Sequence, residues 1–156
     1  MKNKIDKILE KILVLLMAIM VLNVLWQVAS RFLLNSPSGF TDELAGFLLI
    51  WVGLIGSGYA TGQGLHMAID ILPKSLEGAR FLWVMRFIHF SVALFALLVM
   101  IIGGSNLVYV TLELEQLSSA LQLPMGYVYL AVPLSGILMI YYSIYYLIFT
   151  ESNGSN

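Results

Sequence analysis

The sequence predicts an all-α integral membrane protein of four transmembrane helices, running up and down antiparallel with both termini cytoplasmic. Three observations carry that prediction. Hydrophobic residues make up 60% of the 156 and charged ones only 11%, with a mean hydropathy of +0.90, whereas soluble domains run at about 45–50% apolar and about 25% charged. Charges divide the chain into four long uncharged stretches, each to be compared with the roughly 20 residues an α-helix needs to cross the hydrocarbon core. Lysine and arginine gather on one side of the bundle that results. The chain reads as one domain, with helices at about 8–34, 42–64, 80–113 and 125–149 and an interfacial segment at about 66–79. The net charge of −1 and the lack of any basic stripe interleaved with aromatics give no footing for nucleic acid. With no cysteine, disulfides, zinc-thiolate and iron-sulfur sites are excluded.

Span 1 lies between Lys11 and Arg31, from Ile12 to Ser30. Lys2, Lys4, Lys7 and Lys11 before it would also suit a signal peptide, but the apolar run exceeds the 7–15 residues of an h-region, so a retained helix is the better reading. Asn23, Gln27 and Arg31 recur every four residues and share one side of this helix. Polar side chains are costly in lipid, so the stripe should face another helix. Interhelical hydrogen bonding is the reading we favour over a substrate path, which would draw polar groups from several helices.

Asn35 to Phe40 form a short hairpin that brings the end of helix 1 against the start of helix 2. Thr41 reads as the N-cap of helix 2, and Asp42 and Glu43 in the first turn suit the positive end of its dipole. A charge pair between Arg31 and Glu43 or Asp42 is the expectation here. Span 2, Leu44 to Leu65, places Gly46, Gly53, Ser57 and Ala60 on one face, with Gly58 and Gly62 as a further small pair. Such faces let backbones approach closely where lipid removes the hydrophobic drive. His66 and Asp70 in "TGQGLHMAIDIL" stay wet along the headgroups until Pro73, while Ile69, Ile71 and Leu72 dip inward.

Span 3, Phe87 to Leu112, would rise about 39 Å against a core of about 30 Å, so it tilts or bends, with Gly103-Gly104 its weak point. Pro124 opens the last helix, from about Met125 to Phe149, and Pro133 predicts a kink by removing a backbone bond to Tyr129. Orientation follows from the positive-inside rule. Lys2, Lys4, Lys7, Lys11, Lys74, Arg80 and Arg86 share the side of both termini, and the other side carries Arg31 with Asp42, Glu43, Glu113 and Glu115. Trp83, Tyr141, Tyr142, Tyr145 and Tyr146 suit the cytoplasmic aromatic belt, and Phe40, Tyr127 and Tyr129 the outer one.

Chemistry is thin. His66 and Asp70 supply two zinc ligands where at least three are needed, and His66 with His89 is a geometrically conceivable haem pair without further support. "GQG" does not continue into GxGxxG, and no Ser-His-Asp set or carboxylate pair stands out. The expectation is no catalytic, substrate-binding or metal residues, no cofactor and no enzyme.

Motif order then suggests a family. The chain resembles the small membrane subunit of tripartite ATP-independent periplasmic (TRAP) transporters, the DctQ-like family, over nearly its whole length. The likeness rests on Arg31-Phe32, Asp42-Glu43-Leu44, Trp51, Gly56, then Gly64, His66 and Asp70 in "GQGLHMAID", and "LQLPMGYVYLAVPLSG" around Pro124, Tyr129 and Pro133. Asp42 and Thr41 depart from the residues usual there. The resemblance implies a scaffold in the bacterial inner membrane. Its partners would be a large membrane subunit that carries the sodium and substrate sites, a periplasmic substrate-binding protein, and the membrane lipid. The small subunit would enlarge the immobile part against which the large one moves in an elevator-like cycle, importing an organic acid; sialic acid and C4-dicarboxylates are the classes nearest in likeness. Within that reading His66 and Asp70 mark the cytoplasmic interface. Two other readings remain: an autonomous four-helix exporter, which would need an embedded carboxylate that spans 1 to 4 lack, and a haem-binding membrane enzyme subunit.

Overall fold

The computed structural model describes residues 2–33, 38–63 and 79–149. Gly64, His66 and Asp70, the tip of the first hairpin and the interfacial segment through residue 78 lie outside the described residues. Four helical spans of 31, 24, 31 and 23 residues are long and apolar enough to cross a membrane, and they alternate in direction.

Helix α1 (Lys2–Phe32) begins at Lys2, six residues ahead of the expected start. The lysine-rich stretch continues the helix because Lys2 and Asp6 find partners on the last helix, described below. Helix α2 spans Gly39–Gly62 and is capped by Ser38, not Thr41. Thr41 sits inside the first turn, where its hydroxyl donates to the Ser38 carbonyl at 2.9 Å. A hydroxyl three residues past the cap can bond back along the helix, and this removes it from the capping position.

Span 3 is not one regular helix. Helix α3 (Ala79–Phe95) passes into a π-helical stretch over Ala96–Gly103 and then into α4 (Gly104–Glu113). The irregularity ends at the Gly103-Gly104 pair that the sequence singled out, but occupies the two turns before it. Its neighbour supplies the reason. A Cβ on Gly136 would lie 2.8 Å from the Met100 Cβ, and one on Gly104 would lie 2.8 Å from Val132 Cγ1, so the third and fourth spans cross nearly backbone to backbone. Wider π turns shift the side chains that meet this crossing.

Span 4 opens after Pro124 as α5 (Met125–Tyr129), breaks at Leu130, and resumes as α6 (Ala131–Phe149). The break falls three residues before Pro133, consistent with the missing N–H at the proline. Backbone bonds from Leu130 to Gly126 and from Leu134 to Leu130, at 3.1 and 3.3 Å, keep the two pieces in line.

In packing order, α1 lies on α2, α2 on α6, and α6 on α3 and the π stretch. The fourth span is therefore the hub. Leu9, Ile55 and Tyr142 form the buried centre where α1, α2 and α6 meet, with Trp51, Leu13 and Leu138 around it. Most of α1 is uncovered: Leu15, Val21, Leu22, Leu25 and Trp26 are among its exposed apolar side chains. So large an apolar surface needs lipid or another protein against it.

Candidate functional site

Polar side chains concentrate at the two ends of the bundle. At the end where α1 finishes and α2 starts, Asn23 is buried and its Nδ2 donates to the Thr41 carbonyl at 2.7 Å. Gln27 Nε2 donates to Asp42 Oδ1 at 2.8 Å. Asn23 and Gln27 of the stripe thus face α2 and fasten to it.

Glu43 is not the partner of Arg31. Its carboxylate reaches across to the connection between α4 and α5, where Oε1 accepts the N–H groups of Ser119 and Ala120 at 2.6 and 3.0 Å and Oε2 accepts that of Leu121 at 2.9 Å. Successive amides converge in this way when a tight turn points them inward, and a carboxylate is the natural occupant of such a concavity. The rest of the loop is held to match: Leu117 and Pro124 pair across it, Ser118 N donates to Leu123 O at 2.9 Å, and Met125 N donates to Gln116 O at 2.8 Å. Glu115 and Gln122, at φ 46° and 52°, supply the left-handed turns. Three backbone donors outcompete one flexible arginine, and Asp42 is already engaged by Gln27. Arg31 instead lies exposed with its guanidinium carbon 5.9 Å from the Phe32 ring.

At the opposite end, the Tyr142 hydroxyl donates to Asp6 Oδ1. The Tyr146 hydroxyl donates to the Gly62 carbonyl at 2.8 Å and accepts from Lys2 Nζ at 3.0 Å. Buried His89 stacks on the Tyr146 ring, centroids 5.2 Å apart and planes 11° from parallel. These contacts tie α1, α2, α3 and α6 together. Tyr142 is fully buried and belongs to the core, which corrects its assignment to the aromatic belt. One end of its ring reaches polar Asp6, and the remainder packs like any large aromatic side chain.

The small face of α2 also divides differently from expectation. A Cβ on Gly46 or Gly53 would meet nothing within 4 Å, so these glycines look outward. Close approach occurs at Gly58 and Gly62, where an added Cβ would lie 3.1 Å from Leu138 Cβ and 2.5 Å from Tyr142 Cε1. Gly56 takes an ordinary contact with Leu13. Ser57 donates to the Leu54 carbonyl at 2.7 Å and Ala60 is half-buried. Among the other residues of the motif, Trp51 borders the core, Pro124 caps α5, and Tyr129 and Pro133 are half-buried around the break. Sequence reasoning missed Glu43's real partners, and Gly104, Gly126 and Gly136 as crossing points. A Cβ on Gly126 would come 2.4 Å from Leu112 Cγ. The Ser-Ser pair before Pro124 and the small residues of span 4 were the available signals.

Most buried hydroxyls of the described residues are spent within their own helices. The buried hydroxyls of Ser30, Thr61, Thr111 and Ser135 each donate to a carbonyl three or four residues back on their own helix. No group of three His, Asp or Glu side chains gathers among the described residues.

Comparison with known proteins follows the same direction. Residues 20–150 match the family model described as "Tripartite ATP-independent periplasmic transporters, DctQ component". The chain is 32% identical over 102 residues to a C4-dicarboxylate TRAP transporter small permease protein of Rhodobacter capsulatus, covering 64% of this chain and 44% of that one. It is 36% identical over 81 residues to a sialic acid TRAP transporter small permease protein of Vibrio cholerae, covering 51% of this chain and 47% of the relative. A putative TRAP transporter small permease protein of Haemophilus influenzae is 28% identical over 137 residues, 86% of this chain and 82% of the relative. The match thus spans less than half the length of the first two relatives.

Proposed function

The chain belongs to the DctQ family, that of the DctQ component of tripartite ATP-independent periplasmic transporters, and from that premise we propose that it is the small scaffold subunit of a sodium-coupled importer of an organic acid. Its role is to hold a large membrane subunit in place; the large subunit carries substrate and sodium, and a periplasmic binding protein delivers the substrate. The observation that most supports this is the pairing of a rigid interior with an uncovered exterior. The buried centre of Leu9, Ile55 and Tyr142 joins three helices, while α1 leaves most of its apolar surface open. A secondary transporter working alone is built around broken helices and ionisable groups near the midplane. Here the π stretch of span 3 packs against span 4, which carries the break at Leu130, and the carboxylates Asp6, Asp42 and Glu43 sit near helix ends.

The subunit resides in the bacterial inner membrane with both termini in the cytoplasm, because Lys2, Lys4, Lys7 and Lys11 crowd the end where the chain starts and finishes. Sialic acid and C4-dicarboxylates are the substrate classes named for two of its relatives. Membership of a transporter family favours a role other than catalysis. Co-purification tests the proposal. A tagged copy, extracted from native membranes in mild detergent, should bring down one large membrane protein in equal amount; recovery of the lone chain, or transport by it alone in liposomes, would overturn the reading.

A further inference from the structure

Two adjoining hollows between α1 and α2 remain without a role. The first, about 300 Å³, is ringed by polar and charged residues: Gln27, Arg31, Ser38 and Asp42, with Gly39, surround it. The second, about 500 Å³, is almost wholly apolar and is bordered by Val21, Val24 and Leu25 of α1 and Ala45, Gly46 and Leu49 of α2. Asp42 borders both. Helical register makes them one feature: Arg31 stands seven residues beyond Val24, and Asp42 four residues before Gly46, so a groove runs down both helices from a charged mouth.

The mouth holds one cation and one anion that do not pair with each other. Arg31 carries a planar fork of donors suited to phosphate oxygens. Asp42 takes only the Gln27 amide among the described contacts, and a carboxylate has capacity for several donors. Below them the groove is apolar, open to the side, and floored by Gly46, whose missing side chain leaves free space.

We propose that this groove seats one phospholipid with a zwitterionic, primary-amine headgroup. Arg31 holds the phosphate, Asp42 receives the ammonium, and an acyl chain lies over Gly46. Charge selects the class. A purely anionic headgroup would satisfy Arg31 but be opposed by Asp42, and a quaternary amine has no N–H to donate to the carboxylate. A transmembrane helix of another protein would fill the apolar groove but would need both charges in its own mouth-facing residues. The lipid lies along the junction of α1 with α2, which is the neighbour α1 packs on. This inference rests on the chain alone and holds whether or not the transport role does.

The test is native mass spectrometry of the full chain in detergent, offered equimolar dioleoyl phosphatidylethanolamine, phosphatidylcholine and phosphatidylglycerol. Wild type should retain one phosphatidylethanolamine in preference to the other two. Arg31→Ala should cut retention about tenfold, the scale of one charge-assisted contact. Asp42→Asn keeps the acceptor for Gln27 and should bring phosphatidylethanolamine and phosphatidylcholine to parity. Gly46→Leu, whose side chain enters open space, should remove the lipid without lowering the melting temperature of the lipid-free protein. Equal retention of all three lipids by wild type, or undiminished retention by both Arg31→Ala and Gly46→Leu, would overturn the assignment. So would a lipid-free wild type in which Gly46→Leu blocks capture of a large membrane protein, because the groove would then belong to that protein.

Discussion

Replacing Gly62 by alanine should destabilise the protein through one side chain, and the size of the effect can be worked from the geometry. The new methyl would lie 2.5 Å from both Cε1 and Cζ of Tyr142 and 2.8 Å from its Cδ1, about 1 Å inside the 3.5–4.0 Å of normal carbon–carbon contact. Tyr142 cannot retreat easily. It is fully buried, its hydroxyl is held by Asp6, and Tyr141 packs edge-on at 5.3 Å. Overpacking of this kind costs about 1–3 kcal/mol, against a gain of about 0.5–1 kcal/mol for alanine over glycine in a helix. The net loss is then of order 1–2 kcal/mol. Gly53→Ala on the same helix is the control, because nothing lies within 4 Å of its Cβ position, and it should be neutral or slightly stabilising. Reversible unfolding of both variants in mixed micelles measures the difference. If Gly62→Ala proves as stable as Gly53→Ala, the close crossing of α2 and α6 is not a feature of the protein and the reasoning fails. Adding Tyr142→Leu to Gly62→Ala should recover part of the loss, as expected of directly coupled sites.

Three further outcomes follow from particular contacts. Glu43→Gln keeps the shape of the side chain but removes its charge, so hydrogen exchange at the Ser119, Ala120 and Leu121 amides should rise about tenfold, while the amides of α6 stay protected. Tyr142→Phe removes the donor to Asp6 and should cost about 1.5–3 kcal/mol, the range for hydrogen bonds to charged groups, when unfolding is followed in micelles; no measurable loss would refute the Tyr142–Asp6 contact. Asn23→Ala leaves the Thr41 carbonyl without its side-chain donor and should cost about 0.6 kcal/mol, and no more than about 1.7, in a bilayer unfolding assay.

The number of spans, their approximate limits and the polar stripe on α1 were legible because they depend on local pattern: charges end apolar runs, and a period of four residues defines a face. Contacts between distant segments were not legible. Arg31 and Glu43 looked like a pair because opposite charges near one hairpin suggest each other, yet backbone amides 76 to 78 residues away leave no mark in a charge pattern. Glycine raised a similar difficulty. Gly53 and Gly62 are alike in sequence, and only the placement of α6 decides that one is exposed and the other lies under an aromatic ring. Tyr142 shows the opposite failure, since a tyrosine near the end of a span resembles a headgroup anchor until a neighbouring helix covers it. Of the candidate site, Asn23 and Gln27 meet another helix as expected, and the partners of Arg31 and Glu43 were misassigned.

The Glu43 clamp has one more consequence. Beside the Ser118 hydroxyl, it grips the loop by three main-chain amides, and every amino acid but proline offers the same amide. The exposed Ser119 and Ala120 can therefore be exchanged without altering the path of the loop, so the outward lettering of this segment is uncoupled from its shape. A protein that must suit different companions on that side can rewrite the greeting and keep the same doorway.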